Sequence, residues 1–184
     1  GVVPTLLDDQ LPIFESTSIL EYLEDKYSQT SFRLFDPYMR SQMRAFLVFL
    51  DVWATPAVRI PSFQFGGLLR KFSAMSDEKF SGLVKRRPLK AEFYKSFNKD
   101  KGFSEAQIFE SFRVISRTTK RMEEMLRKFG GPWLMGNTYS LADIAVLPLI
   151  DRMQDLGLDG LWSDRYPSVS CLLYTSDAAD DGVG

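Results

Sequence analysis

The sequence predicts an α+β fold in which a β-hairpin and one helix precede a larger all-helical region. Three observations support this prediction. Two short apolar runs near the start flank a polar turn, which is typical of a hairpin. From residue 36 onward, apolar side chains recur every three or four residues, as in helices that share a core. Capping residues and helix-ending glycines and prolines separate these helices.

The hairpin comes first, with strands predicted over residues 2–7 and 11–14 and a tight turn at residues 8–10. Pro4 is unusual inside a strand because proline has no N–H to donate to a β-ladder. We expect a cis peptide bond between Val3 and Pro4. Such a bond would leave the Val3 backbone pointing outward, free to pair with a ligand.

A helix then begins at Glu15 and Ser16, with apolar residues on one face at Ile19, Leu20, Leu23 and Tyr27. The first backbone N–H groups of a helix have no partner within the helix, so its start can bind a charged small molecule together with Glu15 and Ser16. The alternative is an ordinary hairpin followed by a helix that Ser16 caps.

Residues 29–35 are predicted to link this unit to the helical region, which begins with Asp36 as N-cap and Pro37 in the first turn. An apolar stripe follows, and we interpret it as core rather than as a cofactor site: Met39, Met43, Phe46, Leu47, Leu50, Trp53 and Ala57. Pro56 and Pro61 are expected to bend or end this helix.

Residues 60–69 are apolar, but their apolar positions follow no clear helical or strand periodicity. We interpret them either as the wall of a substrate pocket or as a loop packed on the core. The basic run at residues 85–90 is interpreted as a solvated face or loop. Nucleic-acid binding is the alternative for that run.

Two capping boxes mark the last long helices. Ser104 and Gln107 form the first, and the helix it opens is expected to end at Gly130. Ser140 and Asp143 form the second, whose role is in folding, so Asp143 is not assigned as a general base.

Composition excludes several classes of function. The chain has no histidine, which removes serine–histidine and cysteine–histidine nucleophiles and most zinc sites, so no metal is expected. The net charge of −1 gives no overall attraction to nucleic acid or to anionic membranes. No apolar run approaches the roughly twenty residues of a membrane helix. Cys171 is the only cysteine, which fits a reducing cytoplasm.

The Val3–Pro4 pair and the Glu15–Ser16 pair, at this spacing and before a long helical region, resemble the glutathione transferase superfamily. The stretch from Gly136 to Ile144 resembles the family's Gly-x-x-x-(Ser/Thr)-x-Ala-Asp-Ile phrase. The resemblance implies that residues 1–28 are the C-terminal part of a thioredoxin-like domain, and that residues 36–170 are the family's all-helical domain. Residues 85–94 and 151–158 look most like bacterial transferases related to lignin β-etherases.

The resemblance implies glutathione as co-substrate, with Val3 and Pro4 at its cysteinyl backbone and Glu15 and Ser16 at its γ-glutamyl end. It also implies a homodimer and a hydrophobic electrophile as the second substrate. The family's thiol-activating residue belongs to a β-α-β unit that we expect upstream of Gly1. No catalytic residue is therefore assigned, and the chain alone is expected to be poorly stable and inactive.

The second substrate's pocket is assigned to Asp51, Trp53 and Phe63. We expect a glutathione transferase that conjugates glutathione to a hydrophobic electrophile or transfers it thiolytically. One alternative is a non-catalytic binding or assembly module on the same fold. Another is glutathione-dependent cleavage of aryl ethers, or dehalogenation, with a different pocket.

Residues 171–184 break the preceding periodicity and look like the translation of a sequencing adapter. We therefore expect them to be non-native and to stand apart from the fold. A natural polar tail is the alternative.

Overall fold

The computed structural model describes residues 3–27, 29 and 31–181. In this part of the chain a two-stranded sheet is followed by helices that pack around a common core. The elements are β1 (Thr5–Asp8), β2 (Leu11–Phe14), α1 (Ser16–Lys26), α2 (Pro37–Phe49), a π-helical turn (Leu50–Ala54), α3 (Thr55–Phe65), α4 (Leu68–Ser73), α5 (Asp77–Lys85), a 3₁₀ turn (Pro88–Lys90), α6 (Ala91–Ser96), α7 (Glu105–Phe129), α8 (Leu141–Asp155), a second 3₁₀ turn (Asp159–Leu161) and α9 (Pro167–Asp181). The predicted α+β architecture is confirmed.

The hairpin closes with a two-residue turn, because Asp8 pairs with Leu11 across it. Asp9 and Gln10 both have positive φ, 45° and 67°, as a type I′ turn requires. The first strand begins at Thr5, later than predicted, and Pro4 lies outside the ladder. The predicted cis bond between Val3 and Pro4 is present. The predicted strand residue at position 2 lies outside the described residues.

The linker is fixed to α1 by the carboxylate of Glu24, which is buried. Glu24 accepts hydrogen bonds from the Ser31 hydroxyl at 2.7 Å and from the backbone N–H groups of Phe32 and Arg33 at 2.8 and 3.0 Å. The Phe32 carbonyl in turn accepts from the Leu141 N–H at the start of α8. These bonds set the position of α1, and of the hairpin beside it, relative to the helical region.

The first long helix runs from Pro37 to Phe65 through α2, the π-helical turn and α3. Its predicted start is confirmed, since the Asp36 side chain accepts from the Met39 N–H at 2.8 Å. Pro56 and Pro61 were expected to bend or end this helix, and neither ends it, because both lie within α3. Residues 60–65 are helical, so the interpretation of this stretch as a loop is wrong. Proline at position 61 frees the carbonyl of Ala57 four residues earlier. The buried Ser111 hydroxyl of α7 donates to that carbonyl at 2.8 Å.

The π-helical turn changes which residues of this helix face the core. A π-helical turn contains one residue more than an α-helical turn, so the apolar stripe shifts by one position. Ala54 becomes buried, with 1% of its surface exposed, and Trp53 is turned outward with 52% exposed. The assignment of Trp53 to the buried stripe is therefore wrong.

The expectation that no apolar run approaches membrane-spanning length is also wrong. By length and composition, the Pro37–Phe65 helix is long and apolar enough to cross a bilayer. Core helices of soluble proteins meet the same criterion. Here the apolar side belongs to the protein core through Met43, Phe46, Leu47, Leu50, Ala54, Ala57 and Val58.

Aromatic residues form a second, smaller core between α3, α4, α6 and the loop before α7. Its buried members are Phe72, Tyr94, Phe97 and Phe103. Phe63 of α3 packs against this group, with its ring 4.8 Å from that of Phe93 at an interplanar angle of 76°. Edge-to-face pairs of this kind are favourable contacts for aromatic rings. The aromatic cluster forms one wall of the cavity described below.

The C-terminal helix differs from the sequence-based expectation. α9 continues through Cys171 to Asp181, and Leu172 and Leu173 are buried in the main core with 1% and 6% of their surfaces exposed. The start of α9 is held by the buried Glu123 of α7, which accepts from the Ser168 N–H and hydroxyl at 3.0 and 2.9 Å. Residues 171–173 therefore do not stand apart from the fold, while the adapter origin of the segment stays a prediction.

Candidate functional site

The start of α1 has an unusual backbone. Glu15, the residue before the helix, has a φ of 66°, and its side chain makes no capping hydrogen bond. A non-glycine residue in this region costs about 1–3 kcal/mol and is retained mainly at functional sites. Glu15 and Ser16 are both exposed. A carboxylate, a hydroxyl and the free N–H groups of the first helical turn are therefore presented together.

Asp51, on the π-helical turn, lies beside this helix start. Its carboxylate accepts a hydrogen bond from the Thr17 hydroxyl at 2.7 Å. This contact joins the helical region to the first turn of α1. It also brings a second carboxylate to the end of the helix where Glu15 lies.

The hairpin is held on α1 by Asp8 of β1. The Asp8 carboxylate accepts from the Tyr22 hydroxyl and from the Lys26 ammonium. The hydrogen bonds from Lys26 and Tyr22 lower the pKa of Asp8, and the partner carboxylate raises the pKa of Lys26. These contacts fix the orientation of the strand that follows Val3 and Pro4 relative to the helix that Glu15 precedes.

Val3 is 89% exposed and lies at the edge of a cavity of about 310 Å³. The lining comes from the hairpin end, α3, the 3₁₀ turn and α6: Val3, Arg59, Phe63, Arg86, Arg87, Pro88, Leu89, Lys90, Phe93 and Tyr94. The structure thus brings Val3 and Phe63, two of the predicted site residues, to the same cavity. Asp51 and Trp53 do not line it.

Trp53 faces a different part of the surface. The Arg117 guanidinium of α7 lies 5.1 Å from the centre of its indole ring. Trp53 lines a shallow groove between the long helix and α7, together with Pro56 and Val114. The three residues assigned to the second substrate's pocket therefore lie in three places.

The sequence did not predict a site role for the four basic residues of the cavity, Arg59, Arg86, Arg87 and Lys90. Three of them belong to the basic run at residues 85–90, which was interpreted as a solvated face or loop. The sequence did contain a signal that this run contacts more than solvent, because the apolar residues Pro88 and Leu89 interrupt its charged residues. The fold that turns this run toward Val3 is not visible in the run itself.

The box at the start of α8 has the predicted structural role. The capping box between Ser140 and Asp143 is present, and both residues are buried. The Asp143 carboxylate accepts from the Leu134 N–H at 2.8 Å and from the Ser140 N–H and hydroxyl at 3.0 and 2.9 Å. Burial raises the pKa of Asp143. All of its hydrogen bonds are used in holding the loop and the helix start.

Fold and site together define a protein in which the end of a thioredoxin-like domain is joined to an all-helical domain. Residues 1–31 match the family model for the glutathione S-transferase N-terminal domain, and residues 105–170 match the model for the C-terminal domain. Together the two models cover just over half of the chain. The chain belongs to the glutathione S-transferase superfamily.

A similar curated protein is LigF of Sphingobium sp., which is 32% identical over 160 residues. That match covers 85% of this chain and 61% of LigF. The crystal structure of the Sphingobium β-etherase LigF superimposes with a TM-score of 0.80 at 28% identity, covering 96% of this chain and 74% of that chain.

Two more distant proteins are also similar to this chain. The stringent starvation protein A homolog of Pasteurella multocida is 23% identical over 160 residues, or 86% of this chain and 56% of that protein. A Burkholderia graminis glutathione transferase, crystallised with two glutathione molecules per subunit, gives a TM-score of 0.59 at 21% identity over 90% of this chain and 55% of that one. The chain spans less than two thirds of the length of both curated relatives.

Proposed function

We propose that the protein is a glutathione transferase that joins glutathione to a hydrophobic electrophile. The observation that supports this most strongly is the arrangement at the start of α1. Glu15 has a strained backbone, and its exposed side chain makes no capping hydrogen bond to the helix. Just before the hairpin that packs against this helix, the exposed Val3 precedes a cis proline and borders the cavity.

In this proposal, the Val3 backbone pairs with the cysteinyl residue of glutathione beside Pro4. The Glu15 carboxylate faces the γ-glutamyl ammonium group, and the Ser16 hydroxyl donates to the γ-glutamyl carboxylate. The N–H groups of the first turn of α1 add to the attraction for that carboxylate. Asp51, held by Thr17, places further negative charge at the ammonium end.

With glutathione bound in this way, its sulfur would lie beside the cavity that Val3 borders. The chemistry is attack of the thiolate on an electrophilic carbon, with the leaving group taking the electron pair. The thiolate is the reactive form, so an enzyme of this kind lowers the thiol pKa and positions the sulfur. The described residues supply the positioning, and the group that activates the thiol is not assigned.

A second candidate is glutathione-dependent cleavage of an aryl ether. The observation that favours it is the similarity to the β-etherase LigF, which extends over most of this chain. In that reaction the thiolate forms a C–S bond, the C–O bond breaks, and the aryloxide leaves and takes up a proton. The same glutathione site serves both reactions, which differ in the compound bound in the cavity.

The remaining expectations stay proposals on the same basis. The protein is expected to be a cytoplasmic homodimer without nucleic-acid or membrane partners. The alternative to an enzyme is a non-catalytic binding or assembly module that binds glutathione. Turnover separates the enzyme from the module. Binding of glutathione without conversion of any electrophile by the full-length protein would favour the module.

Replacing Glu15 tests the glutathione site. In the full-length protein, Glu15→Ala should weaken glutathione binding by about 1–3 kcal/mol, because a hydrogen bond to a charged group is lost. Titration calorimetry with glutathione measures this directly. Glu78→Ala is the matched control, since Glu78 is an exposed carboxylate in the first turn of α5 and Glu15 is an exposed carboxylate directly before α1. Equal affinity for glutathione in the wild type and in Glu15→Ala would refute the assignment.

A further inference from the structure

We propose that the cavity beside Val3 selects an aromatic compound that carries an anionic group such as a carboxylate. This inference rests on the proposed function, because it concerns the second substrate of that reaction. It goes beyond a hydrophobic electrophile, since basic side chains, and not apolar contact alone, would decide which aromatic compounds bind.

The charge of the cavity is the first argument. Among the described residues, Arg59, Arg86, Arg87 and Lys90 line it, and no carboxylate does. Within the described residues, none of these four makes an ion pair. The chain as a whole is nearly neutral, with 23 basic and 24 acidic residues. Four uncompensated cations around one cavity are therefore a local property of this site, and they attract anions to it.

The second argument is that two of the guanidinium groups are held in place. An Arg87 Nη1–H donates to the Tyr94 hydroxyl at 2.9 Å, and the Arg87 guanidinium lies 6.0 Å from the centre of that ring. The Arg59 guanidinium lies 5.5 Å from the centre of the Phe93 ring. A planar guanidinium that is held in position loses less conformational freedom when it binds a carboxylate. Its remaining N–H groups match the two carboxylate oxygens.

The third argument is the aromatic wall. Phe63, Phe93 and Tyr94 all line the cavity, and their rings contact one another edge to face. An aromatic ligand gains both apolar burial and ring–ring contact against such a wall. The volume of about 310 Å³ suits a compound with one or two rings. An aryl group against the wall places an attached anion toward the basic residues.

The experiment compares two small probes on the full-length protein by titration calorimetry. 4-Nitrobenzoate carries the anion, and 4-nitrobenzamide is a neutral compound of nearly the same shape. We expect the benzoate to bind more tightly than the amide. Added potassium chloride should reduce this preference, because salt screens partly exposed charges.

Single substitutions assign the preference to the cavity. Arg87→Gln and Arg59→Gln should each reduce the benzoate-to-amide preference by about fivefold, the effect of losing one partly exposed ion pair. Lys85→Gln is the matched control, because Lys85 belongs to the same basic run but does not line the cavity. Arg87→Gln also removes the contact between Arg87 and Tyr94. If this loss disturbs folding, Arg86→Gln is the variant to use instead, because Arg86 lines the cavity and is exposed.

Glutathione, titrated alone into the same protein, separates this inference from the proposed function. Glutathione binding together with equal affinity for the two probes, or with no probe binding, would overturn the inference and leave the proposed function standing. A preference for benzoate that Lys85→Gln reduces as much as Arg87→Gln would also overturn it. A benzoate preference that depends on Arg87 and Arg59, without any glutathione binding, would instead refute the proposed function.

Discussion

Glu21 shows how single residues hold the two parts of the chain together. Its carboxylate on α1 accepts from Arg33 of the linker at 2.6 Å and from Arg44 of α2 at 3.1 Å. The hydrogen bond from Arg44, together with the charges of Arg33 and Arg44, lowers the pKa of Glu21 below its ordinary value of 4.5, against the effect of burial. One acidic side chain thus joins three segments that are separate in the sequence.

This network predicts a pH dependence of stability. Because the pKa of Glu21 is lower in the folded than in the unfolded protein, its contribution is present above pH 4.5 and is lost as the pH falls below that value. Glu21→Gln should therefore lower the free energy of unfolding by about 1 kcal/mol at pH 7 and by less at acid pH. Urea unfolding at a series of pH values measures the difference. Glu92→Gln, at an exposed ion pair with Lys95, is the control. A cost of Glu21→Gln that is the same at all pH values would contradict this account.

At the scale of elements, the same capping motif occurs in two environments. The box of Ser104 and Gln107 begins α7 at an exposed position, and the box of Ser140 and Asp143 begins α8 where both residues are fully buried. Water can replace a lost hydrogen bond at the first site. At the second site it has no access, so Asp143 would lose a donor without replacement.

Ser140→Ala should therefore cost more than Ser104→Ala. We expect a loss of about 1–2 kcal/mol for the buried cap and about 0.5 kcal/mol for the exposed one, the upper and lower parts of the range for capping residues. Midpoints of urea unfolding with an unchanged slope measure both costs. Equal costs, or a larger cost at Ser104, would show that burial does not set the strength of the cap.

At the scale of the whole molecule, α9 decides where the packed domain ends. The match to the C-terminal family model stops at Ser170, whereas the helix continues and buries Leu172 and Leu173. This packing argues against the sequence-based expectation that residues 171–184 stand apart from the fold. Removing two leucines from the main core would expose their neighbours to water.

Leu172 provides the test of these two views. If the segment packs as the structure has it, Leu172→Ala should lower the free energy of unfolding by about 2–5 kcal/mol, the cost of a buried leucine truncation. Tyr174→Ala, at a position 77% exposed on the same helix, should change little. Unfolding by urea measures both variants and the deletion of residues 171–184. A deletion without cost would support the non-native origin of the segment.

The sequence by itself determined the features that depend on neighbouring residues. The hairpin, the cis bond at Pro4, the cap at Asp36, both capping boxes and the end of α7 at Gly130 follow from interactions within a few residues. Such local patterns are fixed by backbone geometry and hydrogen bonding within one turn. The two motifs of the proposed glutathione site are of this kind, so their positions could be predicted.

Tertiary structure alone decided the features that depend on distant contacts. Pro61 stays within a helix because Ser111 satisfies the Ala57 carbonyl across 54 positions of sequence, and no local signal carries that information. The π-helical turn exposes Trp53 by a shift that the apolar period does not show. The basic run becomes part of a cavity only because α3 and α6 place Arg59 and Phe93 beside it. Packing between segments, which depends on the whole fold, set the shape and charge of the cavity beside Val3.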